Sequence, residues 1–576
     1  MNQKLENILN VSLDATEDEL RKADSLSTGY NWRDNTWEII VKYSGSLESI
    51  RNRYNVYIKE LLNYYAIIVA DKATIELISQ EDVVDYVEKP KSLYYQIERT
   101  KTAACVGSVR ADGNILSGKG VIVGVIDTGI DIFDNAFRNS DGTTRILNIY
   151  DQTTGEKYDK QSIDEYIRLN EDLSGGTFSY DNAPGVDNIM HGTDVSYIAA
   201  GSFGVAYEAD IIAVKMGYSI NNQFPRTTSL MDAIDYVIRK AIEYRKPVAV
   251  NISYGCNYGA HNGNTLLESF IDDISKSYRC VICVGSGNEA DKAIHFGGII
   301  NTGQVQTAYL SVGEYQSAMD IQIWKNYWDT IDVMLINPRG EQIGIITEGK
   351  INRYETYNTE IITLLGEPSP YNIYQEIYIN LIPKTDYILS GIWQIVLMAG
   401  SIRAGEYNIW LPSSQALGYA TAFNNPTADG TITIPATARN CIAVGAYNAY
   451  TNSYAAFSGR GFDNSIRNVN AGVKPDITAP GVDISIARQR GNDIIYRNVT
   501  GTSYAVPVVT GAAALLMQWG IVMGNDRFMY GEKLKAALID GSKPVGLAGI
   551  TGNDNHPDPR TGWGAVCLMN TLNKIL

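Results

Sequence analysis

Apolar positions along the chain follow three different rhythms. Residues 37–43 (WEIIVKY), 64–70 (YYAIIVA) and Val83–Val87 predict strands, with helices over Ser46–Tyr54 and Lys72–Ser79. That βαββαβ order predicts a small α/β sandwich over residues 1–96. Pro90 ends its regular pattern, and 91–104 reads as an exposed connector. From Gly118 the apolar runs become continuous: 121–126 (VIVGVI), 211–214, 248–252, 281–285 and 441–446. Runs apolar at both parities belong to strands buried on both faces, as in a parallel sheet flanked by helices. Helices are predicted at 192–201, 229–245, 265–277 and 504–520. Between 295 and 425 the helical rhythm stops. Short β-branched and aromatic stretches such as DIQIWKN, EIYINLIP and GEYNIWLP recur between turn signals, which predicts a β-sandwich or jelly roll. Because the parallel-sheet pattern resumes afterwards, this segment reads as an insertion. The expected division is 1–96, 97–294, 295–425 and 426–576, with the second and fourth parts forming one α/β domain.

Composition narrows the class. With 45% hydrophobic and 19% charged residues in 576, the chain buries a sizeable core and is not disordered. A net charge of −16 opposes binding to nucleic acid or to anionic lipid. The N-terminus, MNQKLENILNVSLDATEDELRKAD, lacks a basic stretch followed by an apolar one, so no signal peptide is expected and the chain reads as intracellular. The apolar stretch from Val508 to Gly524 contains Gln518 and is too short to span a bilayer. Six cysteines lie scattered at 105, 256, 280, 283, 441 and 567. Cys280 and Cys283 have metal-ligand spacing, but on a strand positions i and i+3 face opposite ways, so they read as small buried side chains.

Four short motifs carry the chemistry. Asp127 ends a buried strand in VIDTGID, His191 opens HGTDVSYIAAG, Asn288 follows a strand in VGSGNEA, and Ser503 lies in GTSYAVPVVTG. A serine hydroxyl needs an imidazole to take its proton, and the imidazole needs a carboxylate to fix its tautomer. A side-chain amide and a helix-start N–H can hold the developing oxyanion. Pro507 fits a helix that begins close to Ser503, since proline is tolerated near a helix start. The alternatives are bland: a strand-end cap for Asp127, a satisfied helix-start histidine, an N-cap serine.

The order Asp…His…Ser is that of subtilisin, and the chain resembles the subtilisin-like serine proteases over about 97–295 and 425–576. The resemblance implies a subtilisin-like α/β fold with Asp127, His191 and Ser503 as the triad and Asn288 as the oxyanion-hole amide. It also implies that Ser253, Tyr254 and Gly255 pair with substrate, with Gly285, Ser286 and Gly287 forming the other wall of the specificity pocket. Segments 204–215, 455–461, 474–481 and 562–566 resemble family framework. The N-terminal sandwich resembles the inhibitory prodomain. Together with the β-rich insert and the missing export signal, it makes the chain similar to the Csp proteases of clostridial spores. That likeness implies a spore-associated protease that activates the precursor of a cortex-lytic hydrolase; the alternatives are a non-catalytic germination sensor and a general intracellular degradative protease. It implies self-cleavage in the connector 93–97, between Gln96 and Ile97 or, as the neighbouring alternative, after Tyr95, with the prodomain retained in the cleft. No cofactor and no metal is expected at the site. Segment 199–206 lacks the loop that holds a tight calcium ion in secreted relatives. Asp194 and Val508 stand where the family often has histidines. The segment 151–187, between Asp127 and His191, is expected to be an elaborated loop.

Overall fold

The computed structural model describes the chain except residues 1, 92–93, 96–115, 172–181, 218–223, 347–348, 463–471, 491–492 and 547–556. At its centre is a nine-stranded sheet. Ile122–Asp127 lies between Val248–Ile252 on one side and Asp210–Lys215 on the other, all parallel. Cys280–Gly285 and Ile442–Asn448 extend the first side, and Ile146–Asp151 the second. Strand order therefore reverses around Ile122–Asp127, and the carboxyl end of that strand is where such sheets open a crevice.

The continuous apolar runs divide by parity between two cores. Val123, Val125, Val281 and Cys283 face the helices His191–Ala200 and Thr502–Met517. Ile122, Ile126, Cys280 and Ile282 face Thr227–Tyr244 and Leu266–Ser277. Cys280 and Cys283 thus point to opposite faces of their strand, as their spacing predicts. The helix Thr502–Met517, continued to Val522, is long and apolar enough to cross a membrane, but 83% of its apolar window is buried inside the protein, where it serves as the central core helix.

The N-terminal unit is a five-stranded antiparallel sheet in which Thr36–Tyr43 pairs with Tyr30–Asn31, Tyr65–Ala70 and Val84–Glu88. Both faces of this sheet are covered. Ile40, Tyr65 and Ile67 pack with the helices Thr227–Tyr244 and Leu266–Ser277. Ile39, Val41 and Ile68 pack with the unit's own helices and with Ile362, Leu364, Tyr378 and Ile382 of the insert. Three helices that the apolar rhythm does not reveal precede it: Asn7–Asp14, Glu17–Lys22 and Asp24–Ser27. They are too short for periodicity to register, although Thr16 and Glu19 form a reciprocal capping box that marks the second.

The insert is two antiparallel sheets. The six-stranded sheet runs His295–Ile299, Glu406–Trp410, Met319–Asn326, Tyr374–Pro383, Thr359–Leu365, Ile351–Glu355; the five-stranded one is centred on Gly391–Ala399. Ile321, Ile379 and Ile409 of the first meet Leu310, Trp393 and Ile395 of the second in one core, so the fold is a β-sandwich. The segment 151–187 departs from the expected loop. It contains the strand Lys157–Asp159 and the helix Lys160–Glu171, whose Ile163 and Ile167, four residues apart, join the main core.

Candidate functional site

Asp127, His191, Asn288 and Ser503 come from four separate elements and are all buried. Asp127 is the last residue of the central strand. His191 is the first residue of its helix, and its Nδ1 lies 2.6 Å from Asp127 Oδ1. The close approach depends on Gly192. A Cβ there would meet the Gly129 carbonyl oxygen at 2.3 Å and the Asp127 Cβ at 2.9 Å. The Thr128 N–H donates to Asp127 Oδ1 and the Gly192 N–H to Thr128 Oγ1, which fixes strand end to helix start. His191 Nε2 is buried and has no hydrogen-bond partner among the described residues. Burial alone disfavours the imidazolium, but Asp127, by charge and by hydrogen bond, with Asp187 and Asp194 further off, lifts the His191 pKa above its ordinary value.

Ser503 is the second residue of Thr502–Met517, capped by Gly501. Pro507 lies within this helix and has no N–H to give to the carbonyl of residue 503 four positions back. The Ser253 hydroxyl donates to that carbonyl instead, at 3.4 Å, and itself accepts from Asn251 Nδ2. The Tyr504 ring packs against the His191 ring, centroids 5.3 Å apart. Asn288 is anchored by its oxygen: the Thr502 N–H and hydroxyl donate to Oδ1 at 3.0 and 3.2 Å. Its amide Nδ2 is left buried without a partner among the described residues. One nitrogen able to accept a proton and one N–H able to donate thus flank the start of the serine helix.

The remaining expected residues lie at or just beyond the ends of two strands of the central region. Tyr254–Gly255 is a short strand paired antiparallel with Tyr94–Tyr95, Tyr254 opposite Tyr95 and Gly255 opposite Tyr94. Gly285 ends its strand, and Ser286 is held by backbone bonds to Val444 and Thr433. Gly287 has φ +93°, and a Cβ there would run into the Thr433 side chain at 2.5 Å. Gln96 and Ile97 lie outside the described residues.

Sequence reasoning missed Asp187. Its carboxylate takes the N–H groups of Ile189, Met190 and Thr193 and the hydroxyls of Thr128 and Thr193, so it ties together the loops carrying Asp127 and His191. An aspartate four residues before the histidine was the available signal. Among the described residues no group of three or more His, Cys, Asp or Glu side chains could hold a metal ion.

Comparison with known proteins agrees with this geometry. Residues 118–369 and 404–564 match the subtilase family, and residues 3–91 match the Csp protease B prodomain. The chain belongs to the subtilase family, the subtilisin-like serine proteases. Within it the chain is of the Csp type: it is similar to the CspB protease of Clostridium perfringens, with 34% identity and a TM-score of 0.74 over 82% of this chain and 96% of that one. Shorter matches are the subtilase-type proteinase RRT12 of Saccharomyces cerevisiae, 33% identical over 22% of this chain, and subtilisin-like protease 10 of Arthroderma otae, 34% identical over 21%. The matched stretches span about a quarter of those two proteins, 23% and 27%.

Proposed function

We propose that the protein is a serine endopeptidase that first cuts its own chain after Gln96 and then a protein substrate. The observation that carries this reading is the pair of unsatisfied groups, His191 Nε2 and Asn288 Nδ2, beside a serine at a helix start. Ser503 Oγ attacks the scissile carbonyl while His191 Nε2 takes its proton, and Asp127 holds the imidazolium through Nδ1. Asn288 Nδ2 and the Ser503 N–H hold the oxyanion. The intermediate collapses to an acyl-enzyme as His191 protonates the leaving amine, and water then releases the acyl group by the same route.

The strand pairing of Tyr94–Tyr95 with Tyr254–Gly255 supports self-cleavage. Main-chain pairing of this kind is how an extended peptide is held at a sheet edge. Tyr95, the residue before Gln96 in sequence, stands opposite Tyr254, which follows Ser253, the residue bonded to the Ser503 carbonyl. The released prodomain stays bound through both covered faces of its sheet. The likeness to Csp proteases makes the precursor of a cortex-lytic hydrolase the substrate to test, in a spore-associated setting.

A fluorophosphonate probe and intact mass spectrometry test the reading. Wild type should label on Ser503 and run as two co-eluting fragments meeting at residue 96; Ser503→Ala should stay one unlabelled chain. A wild type that neither labels nor cuts itself refutes the proposal and favours a non-catalytic sensor. Rapid digestion of casein by an enzyme that spares the cortex-lytic precursor favours a general degradative protease.

A further inference from the structure

Asp194 lies one helical turn beyond His191 and is wholly buried. Among the described residues neither of its carboxylate oxygens has a hydrogen-bond partner. It faces two cations instead: Arg497 Nη1 is 3.1 Å from Oδ2, and Arg488 Nε is 3.5 Å from Oδ1. Arg488 is buried as well, whereas the Arg497 side chain is 37% exposed. Both arginines belong to one hairpin, Ile484–Arg490 with Asp493–Val499, in which Arg497 stands opposite Ile486. The second strand of that hairpin runs through Thr500 and Gly501 directly into the helix of Ser503. A carboxylate on the helix of the proposed base is thereby joined to two guanidinium groups on the hairpin that delivers the proposed nucleophile.

We propose that Asp194 is a positioning residue: with Arg488 and Arg497 it locks the nucleophile hairpin to the base helix and sets the charge around His191. The inference rests on the endopeptidase reading above. A carboxylate buried without donors is costly unless paired, and the two arginines supply the pairing. Burial raises the Asp194 pKa and Arg497 and Arg488 oppose it, leaving it up at about 6, so the lock is charged at neutral pH and weakens in mild acid. His191 is faced by Asp127 from the central strand, Asp187 from the preceding loop, Asp194 from its own helix and the Tyr504 ring from the nucleophile helix; the hairpin arginines act on it through Asp194.

The test is the pH profile of kcat/KM, which reports the ionisation of the free enzyme's base, measured on a Leu-Tyr-Tyr-Gln p-nitroanilide. Asp194→Asn removes a negative charge near the imidazole, so the acid limb should move to lower pH by about half a unit. Arg497→Met takes away the cation that keeps Asp194 ionised, so Asp194 keeps its proton to higher pH and the limb should again move lower, while Arg497→Lys should restore it. Both loosening variants should lower kcat, by up to about 10²-fold where the serine is misplaced, with KM little changed. Arg497 is partly exposed, so its variants give an answer even if Asp194→Asn does not fold. An active wild type whose acid limb stays put in Asp194→Asn and Arg497→Met, or moves just as far in Arg497→Lys, overturns the role of Asp194 alone. A wild type inert to both the anilide and the fluorophosphonate overturns the endopeptidase reading, and this inference with it.

Discussion

Replacing Asn288 separates two functions of one side chain. Its oxygen anchors Thr502 through two hydrogen bonds, and its amide nitrogen is the unsatisfied donor. Asn288→Ala removes both. Loss of one oxyanion donor lowers kcat by about 10²–10³, equivalent to about 2.7–4 kcal/mol of transition-state stabilisation. Two lost hydrogen bonds at a buried helix start should also cost about 1–3 kcal/mol of stability. Asn288→Asp keeps the acceptor for Thr502 but puts a second oxygen where the donor was. Its turnover should fall at least as far as that of the alanine variant, while its melting temperature stays closer to wild type. The assay is steady-state hydrolysis of a peptide anilide, with self-cleavage in the expression host as a second readout and thermal melting for stability. If Asn288→Ala turns over within about threefold of wild type, the oxyanion assignment fails. If the alanine and aspartate variants melt together, the Thr502 anchor is not what holds the helix start.

Three further outcomes are expected. Burial, with the nearby Glu6 carboxylate, pushes the Glu376 pKa up to about 8, so the folded chain holds this proton more tightly than the unfolded chain. Stability should therefore fall as pH rises from about 5 to 8, and melting curves of Glu376→Gln should show a shallower fall. Lys91 is buried between Glu6 and Glu88 at the foot of the prodomain; Lys91→Met leaves both carboxylates unpaired, should destabilise by about 3–5 kcal/mol, and should release the cut prodomain on gel filtration. Chelator should shift the melting temperature by less than about 2 °C, since among the described residues no group of three or more His, Cys, Asp or Glu could hold a metal ion; a large drop, the loss of a metal's binding free energy, would reveal a cation site.

The parallel core was legible because burial on both faces leaves an unbroken apolar run, as at 121–126. Ile146–Asp151 escaped because Asn148 interrupts its run; in the fold that amide is satisfied, accepting from the Tyr244 hydroxyl at 2.8 Å. The helix Lys160–Glu171 was hidden in a polar segment, although Ile163 and Ile167 had the right spacing. The four motif residues were readable because side-chain chemistry restricts what can sit beside a nucleophile. Asp187 was not, because its work is done by backbone N–H groups that sequence does not display. Asp194 looked like a simple departure from the family pattern. Only the fold brings to it arginines lying about 300 residues further along the chain.

The two-sided burial of the prodomain sheet has a consequence for how the chain is made. Its second core includes Ile362, Leu364, Tyr378 and Ile382. On the ribosome the first 96 residues are complete long before these appear. At about 5–20 residues per second the wait lasts roughly 15–60 s. Throughout that interval Ile39, Val41 and Ile68 have only the unit's own helices to pack against, and the core lacks its partners from the insert. The prodomain core is thus itself unfinished until the insert emerges, and a ribosome stalled before residue 382 would leave the part of that core which the insert covers open for chaperones to grip.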